Sequence, residues 1–453
     1  MGVAGMPLVQ TPNLDALAAG AVRFADCHTS SPLCMPARSV MMSGVLPSRS
    51  GVVTNASWPD LDGPSHVRRL RDEAGYRTSV IGKVHLHHGT GHKDDWFDRL
   101  DRVGFSDGIE LSGVRLCARY PNAWSDWLSA RTEPGRVDRY QLFRRFVREY
   151  EDVSHVNGEW LAPRFDDPRW GLSASEHVGS WMADTAADWI AAAAGDSPWY
   201  LQVNFPGPHP PWDAPAPWAE MYDPRDPDLP LPDARDPGRP WSGLVRILRR
   251  KWSMPLGDDD RRAMVTKYLA RVSMVDALVG RVIEGLAESG QLDNTWVVFG
   301  ADHGELLGDK NLIGKIAFFD GSVRVPLIMR PPGGSVGWTA SGWCDQLDVT
   351  ATLLALGGLD PRIHLGVPLH DAVLGGPGQF TGKSTVVSEV ADYSMVLDDR
   401  YKAVVDRRTQ TVAELYDRVE DPGEWENRVG DASLEGVRRA AIDQLAHLTG
   451  ADS

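Results

Sequence analysis

Cysteine is scarce in this sequence, and its distribution excludes two common kinds of stabilised protein. There are 4 cysteines among 453 residues, and no two of them form a Cys-x-x-Cys pair. A disulfide framework uses more cysteines than this, and a structural zinc site needs closely spaced ligands. Neither is expected here, which leaves open a chemical role for one cysteine. The four are Cys27, Cys34, Cys117 and Cys344.

Long apolar runs and dense blocks of basic residues are also missing. No stretch approaches the roughly 18–20 apolar residues of a transmembrane helix, and the first residues lack the basic and apolar regions of a secretory signal. We therefore expect a cytoplasmic protein that does not cross a membrane. The 62 acidic residues outnumber the 47 basic ones, giving a net charge of −15. Neither a nucleic acid nor an anionic membrane surface is an expected partner, and any anion that the protein binds must be held by a few local charges.

The composition, with 42% hydrophobic and 24% charged residues, is that of a folded protein. Helical patterns alternate with short β-branched runs, as in the helix predicted at 262–289 and the strand predicted at 295–299. This alternation predicts an α/β fold with a mostly parallel central sheet flanked by helices. A Gly- and Pro-rich segment at 375–382 predicts a boundary between a catalytic domain, 1–370, and a small C-terminal α+β subdomain, 371–453.

Charged and imidazole side chains follow three of the predicted strands. The strands are expected at 77–81, 199–205 and 295–299. In parallel sheets ligands bind beyond the carboxyl ends of the strands, so these side chains are expected to converge on one edge. They are Lys83, His85, His209, Asp302 and His303.

The segment Ser31–Ser39 carries the most informative pattern. Cys34, Pro36 and Arg38 form Cys-x-Pro-x-Arg just ahead of a predicted helix. This spacing resembles the formylglycine signature of the sulfatases, although Ala37 stands where that signature more often has serine. Further motifs that resemble the family occur in the family's order: Thr11–Asp15, Gly82–His85, Pro208–Pro210, Asp302–Gly304, Gly314–Lys315, Glu414–Asp417 and Asp421–Glu424. The chain is identified as a member of the sulfatase branch of the alkaline-phosphatase-like superfamily.

The resemblance implies that the partner is a small-molecule sulfate monoester, which the protein hydrolyses with release of sulfate. Cys34 would be converted to formylglycine by a formylglycine-generating enzyme, a transient partner. One hydroxyl of the hydrated aldehyde would attack sulfur, and the other would expel sulfate by re-forming the aldehyde. Arg38, four residues further along the helix, would reach back to the diol.

Four other residues acquire roles from the same resemblance. Lys83 and Lys315 would contact the sulfate oxygens, as compact charges suited to a tetrahedral anion. His85 would orient the diol and assist its collapse. His209 would bind sulfate or protonate the leaving oxygen.

Asp302, His303 and the residue made from Cys34 resemble part of the family's divalent-metal site. Many sulfatases have Asp-Asn and Ca²⁺ here, whereas the Asp-His pair resembles the choline-sulfatase and phosphonate monoester hydrolase branches. Imidazole is a poor ligand for Ca²⁺ and a better one for Mn²⁺ or Zn²⁺. The expected ion is Ca²⁺, with Mn²⁺ as the alternative.

The beginning of the sequence departs from the family pattern. Family members start with an apolar strand that ends in paired acids, and Met1–Gln10 contains no carboxylate. The first strand of the sheet is therefore expected to be missing. Three explanations are open: a misplaced start or truncation, which would make the cytoplasmic location provisional; a non-catalytic relative; or a substitute ligand from elsewhere.

The substrate is not fixed by these patterns. A phosphonate monoester or phosphodiester hydrolase with the same nucleophile is the alternative enzyme, and an inactive protein that binds a sulfated ligand is the alternative of another class. The segment 105–175 is irregular in pattern and contains Trp124, Trp127, Trp160 and Trp170. Most tryptophans are expected in the core, although a wall for a sugar, aryl or quaternary-ammonium group is a second interpretation.

Overall fold

The computed structural model describes residues 1–87, 97–111, 113–157, 164–195, 197–251 and 257–450. The strands are β1 (Val22–His28), β2 (Arg77–Gly82), β3 (Asp107–Glu110), β4 (Trp199–Asn204), β5 (Val297–Gly300), β6 (Arg324–Arg330), β7 (Trp338–Asp345), β8 (Val386–Val390), β9 (Tyr393–Leu397), β10 (Tyr401–Asp406) and β11 (Thr411–Asp417). The helices are α1 (Pro12–Ala19), α2 (Cys34–Ser43), α3 (Pro47–Ser50), α4 (His66–Asp72), α5 (Phe97–Val103), α6 (Val114–Arg119), α7 (Ala123–Ala130), α8 (Arg139–Asn157), α9 (Val178–Ala192), α10 (Gly243–Lys251), α11 (Asp258–Glu288), α12 (Asp320–Val323), α13 (Gln346–Leu356), α14 (His370–Gly375) and α15 (Glu435–Thr449).

Seven of these strands form two sheets that carry the candidate site. One has the order β3-β2-β4, with both pairs parallel. The other has the order β5-β6-β1-β7, in which β1 and β7 are parallel and β6 is antiparallel to both of its neighbours. The predicted α/β fold with a mostly parallel sheet is confirmed, with β6 as the antiparallel member.

Helix α2 places the cysteine of the Cys-x-Pro-x-Arg pattern at the start of a helix. Cys34 is the first residue of α2. Gly44, which has a φ of 68°, directly follows the last residue of this helix. A glycine adopts this left-handed conformation without strain and closes the helix. At Gly44 a side chain would also collide with Ile363. The chain is thereby turned sharply after α2.

The outer edges of β4 and β5 line a single cavity of about 1290 Å³. Among the described residues, no strand pairs with either edge. Val275 and Val279 of α11 also line this cavity, as does Leu353 of α13. The expectation that the first strand of the central sheet is missing stays a prediction.

The last four strands form an antiparallel sheet of order β11-β10-β9-β8. Some of its apolar residues, among them Val396 and Ala403, form a buried cluster with Val40 of α2. Lys402 of β10 reaches out of the sheet: its Nζ donates to the Phe318 carbonyl at 3.0 Å, and it pairs with Asp320 at 2.7 Å and with Glu424. We refer to these three charged side chains as the Lys402 network. The division at residue 370 stays a prediction.

The segment 105–175 was expected to be irregular, and this expectation is wrong. It contains β3 and helices α6 to α8, and Trp124 and Trp170 pack inside its apolar cluster with Phe143. The core interpretation therefore holds for these two tryptophans, and Trp160 lies outside the described residues. None of the described helices combines the length and the apolar content that crossing a bilayer requires.

Candidate active site

The predicted site residues come from five separate places in the chain. Cys34 and Arg38 lie on α2, Lys83 and His85 follow β2, His209 follows β4, Asp302 and His303 follow β5, and Lys315 lies in the loop before α12. The expected convergence occurs, because each of these residues has a hydrogen bond, an ion pair or an electrostatic interaction with another member of the set.

Cys34 is buried at the centre of this group, with 3% of its surface exposed. Its Sγ lies 3.1 Å from Nε2 of His303, and His85 also hydrogen-bonds to it. Burial alone would raise the pKa of the thiol, but the charges of Lys315, His303 and Lys83 lower this pKa well below its ordinary value. The pocket therefore stabilises a negative charge at position 34.

Arg38 connects two other members of the site. Its Nε donates to Oδ2 of Asp302 at 2.8 Å, and its Nη1 donates to the backbone carbonyl of Lys83. Burial opposes the charge of Asp302, yet His303 and Arg38 hold the pKa of this carboxyl well below its ordinary value. Arg38 thus fixes Asp302 in its ionised form and joins the ends of β2 and β5.

Asp302, His303 and Cys34 could hold a metal ion, since their ligand atoms all lie within 4.8 Å of one another. The donors are one carboxylate, one imidazole and one sulfur, and Arg38 already binds one carboxylate oxygen. Ca²⁺ requires six to eight oxygens, whereas Mn²⁺ and Zn²⁺ accept nitrogen. The described donors fit part of a site for a borderline divalent ion and do not by themselves satisfy Ca²⁺.

His209 is neutral in this site. Burial and the nearby charges of Lys315 and Lys83 lower its pKa well below the ordinary value. Its Nδ1 lies 2.7 Å from the Pro210 carbonyl, so Nδ1 carries the proton and donates it. Nε2 is left as a hydrogen-bond acceptor.

The loop after β2 is held in an uncommon conformation. His85 has a φ of 58°, which a side chain other than glycine rarely adopts. Burial lowers the pKa of His85, although its hydrogen bond to Cys34 acts in the opposite direction. Next in the loop, His87 pairs with Glu110 at the end of β3, 2.6 Å apart and buried. This pair was not predicted, and His88 lies outside the described residues.

Sequence reasoning also missed residues that hold the backbone of the site. Gln346 donates from Nε2 to the Asp302 carbonyl at 2.8 Å, and Thr29 donates from Oγ1 to the same oxygen at 2.6 Å. Glu305 accepts a hydrogen bond from the Gly314 amide and so holds the loop of Lys315. Gln346 directly follows β7, so the rule that polar residues cluster at strand ends would have found it if 338–345 had been recognised as a strand.

A sulfatase family profile matches residues 1–359. The chain belongs to the sulfatase family. This sulfatase-family chain is 30% identical over 361 residues to the choline-sulfatase of Rhizobium meliloti (strain 1021), an alignment that covers 78% of the chain and 63% of that protein. It is also 28% identical to an uncharacterised sulfatase, YidJ, of Escherichia coli (strain K12), over 97% of the chain and 82% of that protein.

Solved structures share the fold. A phosphonate monoester hydrolase from Silicibacter pomeroyi superposes with a TM-score of 0.77 and 26% identity, covering 97% of the sulfatase-family chain and 90% of the other. Another, from Agrobacterium radiobacter, gives a TM-score of 0.75 with 24% identity, over 99% and 92% of the two chains. Their likeness supports the alkaline-phosphatase-like architecture.

Proposed function

We propose that this protein hydrolyses a sulfate monoester, using a formylglycine made from Cys34 and a divalent metal ion. The observation that carries the proposal is the environment of position 34. A buried thiol whose pKa falls well below its ordinary value, under the charges of Lys315, His303 and Lys83, marks a pocket built to hold an anion. The same charges would stabilise the oxygens of a sulfuryl group during its transfer.

Each side chain then has a defined task. The hydrated aldehyde, once formed, would supply the attacking oxygen. Loss of the proton of its second hydroxyl to His85 would re-form the aldehyde C=O while the bond between its carbon and the sulfate oxygen breaks. His85 hydrogen-bonds to the side chain at position 34 and orients it. Lys83 and Lys315 bind the sulfate oxygens, and the anion in turn offsets the two lysine charges that, together with burial, keep His209 neutral. His209 can then carry a proton to the leaving oxygen.

The metal ion belongs on Asp302 and His303, where it would neutralise charge on the sulfate group. Arg38 keeps the Asp302 carboxylate ionised and in place. The donors described here favour Mn²⁺ over Ca²⁺, because a nitrogen ligand suits Mn²⁺ better. Ca²⁺ would need several more oxygens.

A segment that occupies the cavity between β4 and β5 could supply such oxygen ligands. Both strands end at the site, and Lys83 and Asp302 line the cavity. An extended segment that pairs with both edges in parallel would end beside Asp302. The apolar strand with terminal acids that the resemblance implies for family members would have these properties, and such acids would complete the coordination of a harder ion.

Sulfate monoesters are the first candidate class of substrate, and phosphonate monoesters are the second. The second candidate rests on the 26% identity to a phosphonate monoester hydrolase across 97% of the chain, and on the Asp-His pair. A phosphonate monoester presents a tetrahedral anionic group of similar shape, and the same two lysines would bind it.

To test the proposal, the chain is co-expressed with a formylglycine-generating enzyme, and the mass of the peptide that contains Cys34 is measured. The hydrolysis of nitrophenyl sulfate and of phenyl phosphonate is then assayed with Mn²⁺ or Ca²⁺. We expect conversion of Cys34 and turnover of the sulfate ester. Cys34→Ala should abolish both, while Cys117→Ala, which changes a buried cysteine of another cluster, should not. An unmodified thiol together with sulfate binding but no turnover would replace the proposal with a binding function. Faster turnover of the phosphonate would favour the second candidate.

A further inference from the structure

A buried ion pair lies beneath the loop that carries His209. Arg271 of α11 and Asp213 have side chains that are 2% and 0% exposed, with Nη1 of Arg271 3.3 Å from Oδ1 of Asp213. His177 completes the group, with Nε2 3.8 Å from the same carboxylate oxygen. Burial opposes the charge on Asp213, but Arg271 and His177 keep its pKa below the ordinary value.

Burying this ion pair in the protein interior costs free energy. Among the described residues, neither carboxylate oxygen of Asp213 has a partner that meets hydrogen-bond geometry. Desolvation of two charges commonly outweighs their attraction, and well-packed apolar residues would serve stability equally well. Such a pair is better explained by what it holds in place.

The pair is attached to both ends of the His209 loop. Asp213 lies four residues after His209 in the chain. At the other end, a Cβ built on Gly207 would lie 2.8 Å from a guanidinium nitrogen of Arg271. The guanidinium is therefore packed against the backbone of Gly207 while it pairs with Asp213.

Between these two attachments the loop is stiff. The Trp212 indole donates to the Pro208 carbonyl at 2.8 Å, and the His209 amide donates to the Pro206 carbonyl at 3.2 Å. Four prolines in the segment 206–211 restrict its backbone further. A stiff loop moves as a unit, so the direction of His209 depends on how the loop is attached to α11.

We propose that Arg271 and Asp213 are positioning residues that aim His209 at the leaving oxygen of the substrate. This inference rests on the proposed function, since the leaving oxygen exists only if the protein cleaves an ester. A planar guanidinium contacts Gly207 and Asp213 at once, which the smaller ammonium group of a lysine cannot do. Arg271→Lys keeps the charge and loses the double attachment.

The first measurement does not require turnover. Hydrogen exchange of a peptide covering 206–213 is compared between the wild type and Arg271→Lys, with Arg281→Lys, an exposed position on the same helix, as the matched control. We expect faster exchange of the loop in Arg271→Lys alone, with a melting temperature close to that of the wild type. Unchanged exchange in the loop would overturn the proposal, whether or not the protein proves to be a sulfatase.

The second measurement connects the pair to His209. Converted enzyme is assayed with a nitrophenyl sulfate, whose leaving group needs no proton, and with an alkyl or unsubstituted phenyl sulfate, whose leaving group does. Arg271→Lys should lower kcat roughly 10- to 100-fold for the poor leaving group and only slightly for the good one, with little change in KM. In the His209→Gln background the same change should have little further effect. An equal loss of kcat for both substrates would overturn the proposal and assign the ion pair a purely structural role. The same conclusion would follow if the losses from Arg271→Lys and His209→Gln were additive.

Discussion

His66 is a buried histidine that should make the protein sensitive to mild acid. It is the first residue of α4, and its Nδ1 donates to the Met42 carbonyl of α2 at 3.1 Å. Its Nε2 lies 3.2 Å from the Tyr200 hydroxyl of β4 and accepts that proton. Burial lowers the pKa of His66 from 6.5 to about 4, against the smaller effect of the backbone hydrogen bonds. The neutral ring thus connects the helix of Cys34 to the central sheet.

The sign of the pH effect follows from this lowered pKa. Between pH 6.5 and pH 4 the unfolded chain binds a proton at His66 that the folded protein does not bind. The free energy of unfolding therefore falls as the pH is lowered through this range. A shift of about 2.5 pKa units corresponds to about 3 kcal/mol in total, of which about 2 kcal/mol is already lost at pH 5.

Urea unfolding at pH 7 and pH 5 measures this loss. Other groups contribute to the pH dependence, so the wild type is compared with His66→Gln and with His447→Gln, which replaces an exposed histidine of α15. The wild type and His447→Gln should lose about 2 kcal/mol more than His66→Gln between the two pH values. Equal losses in all three proteins would refute the reasoning, because the buried imidazole would then be protonated without cost.

Three further predictions concern the site and its support. Lys83→Met should weaken the binding of inorganic sulfate about 10- to 100-fold in calorimetry, since a charged hydrogen bond contributes about 1.5–3 kcal/mol. Gly304→Ala should reduce turnover and metal binding together, because a Cβ there would collide with the backbone carbonyl of Gly321; full activity with normal metal content would contradict this. Lys402→Met should lower the free energy of unfolding by about 3–5 kcal/mol, because it leaves the buried Glu424 without the positive charge of Lys402. A loss below about 1 kcal/mol would contradict the structural role of the Lys402 network.

The sequence predicted which polar residues lie close together better than it predicted the strands of the sheet around them. Strand β5 is a continuous β-branched and aromatic run, so Asp302 could be placed at a strand end directly. Strand β7 contains Ser341 and Gly342, which have low strand propensity, and it forms because it pairs in parallel with β1. Long-range pairing of this kind leaves no local signal in the sequence.

The same limit applies to the contacts that organise the site. The spacing of Cys34 and Arg38 identified both residues, but nothing near Arg38 in the sequence indicates that it binds Asp302, 264 positions away. Likewise, Arg271 belongs to a long amphipathic helix in which an arginine is ordinarily read as exposed. Its burial against Asp213 is a property of the packed structure.

The Lys402 network has a consequence for the modularity of the protein. Through Phe318 and Asp320 it ties the last sheet to the segment that follows Lys315. The C-terminal sheet therefore supports one wall of the candidate active site, and a cut near residue 370 would leave the buried side chains of Lys402 and Glu424 without their contacts to Asp320. The C-terminal sheet and the candidate active site should consequently melt as one cooperative unit, and neither should be exchangeable between relatives without the other.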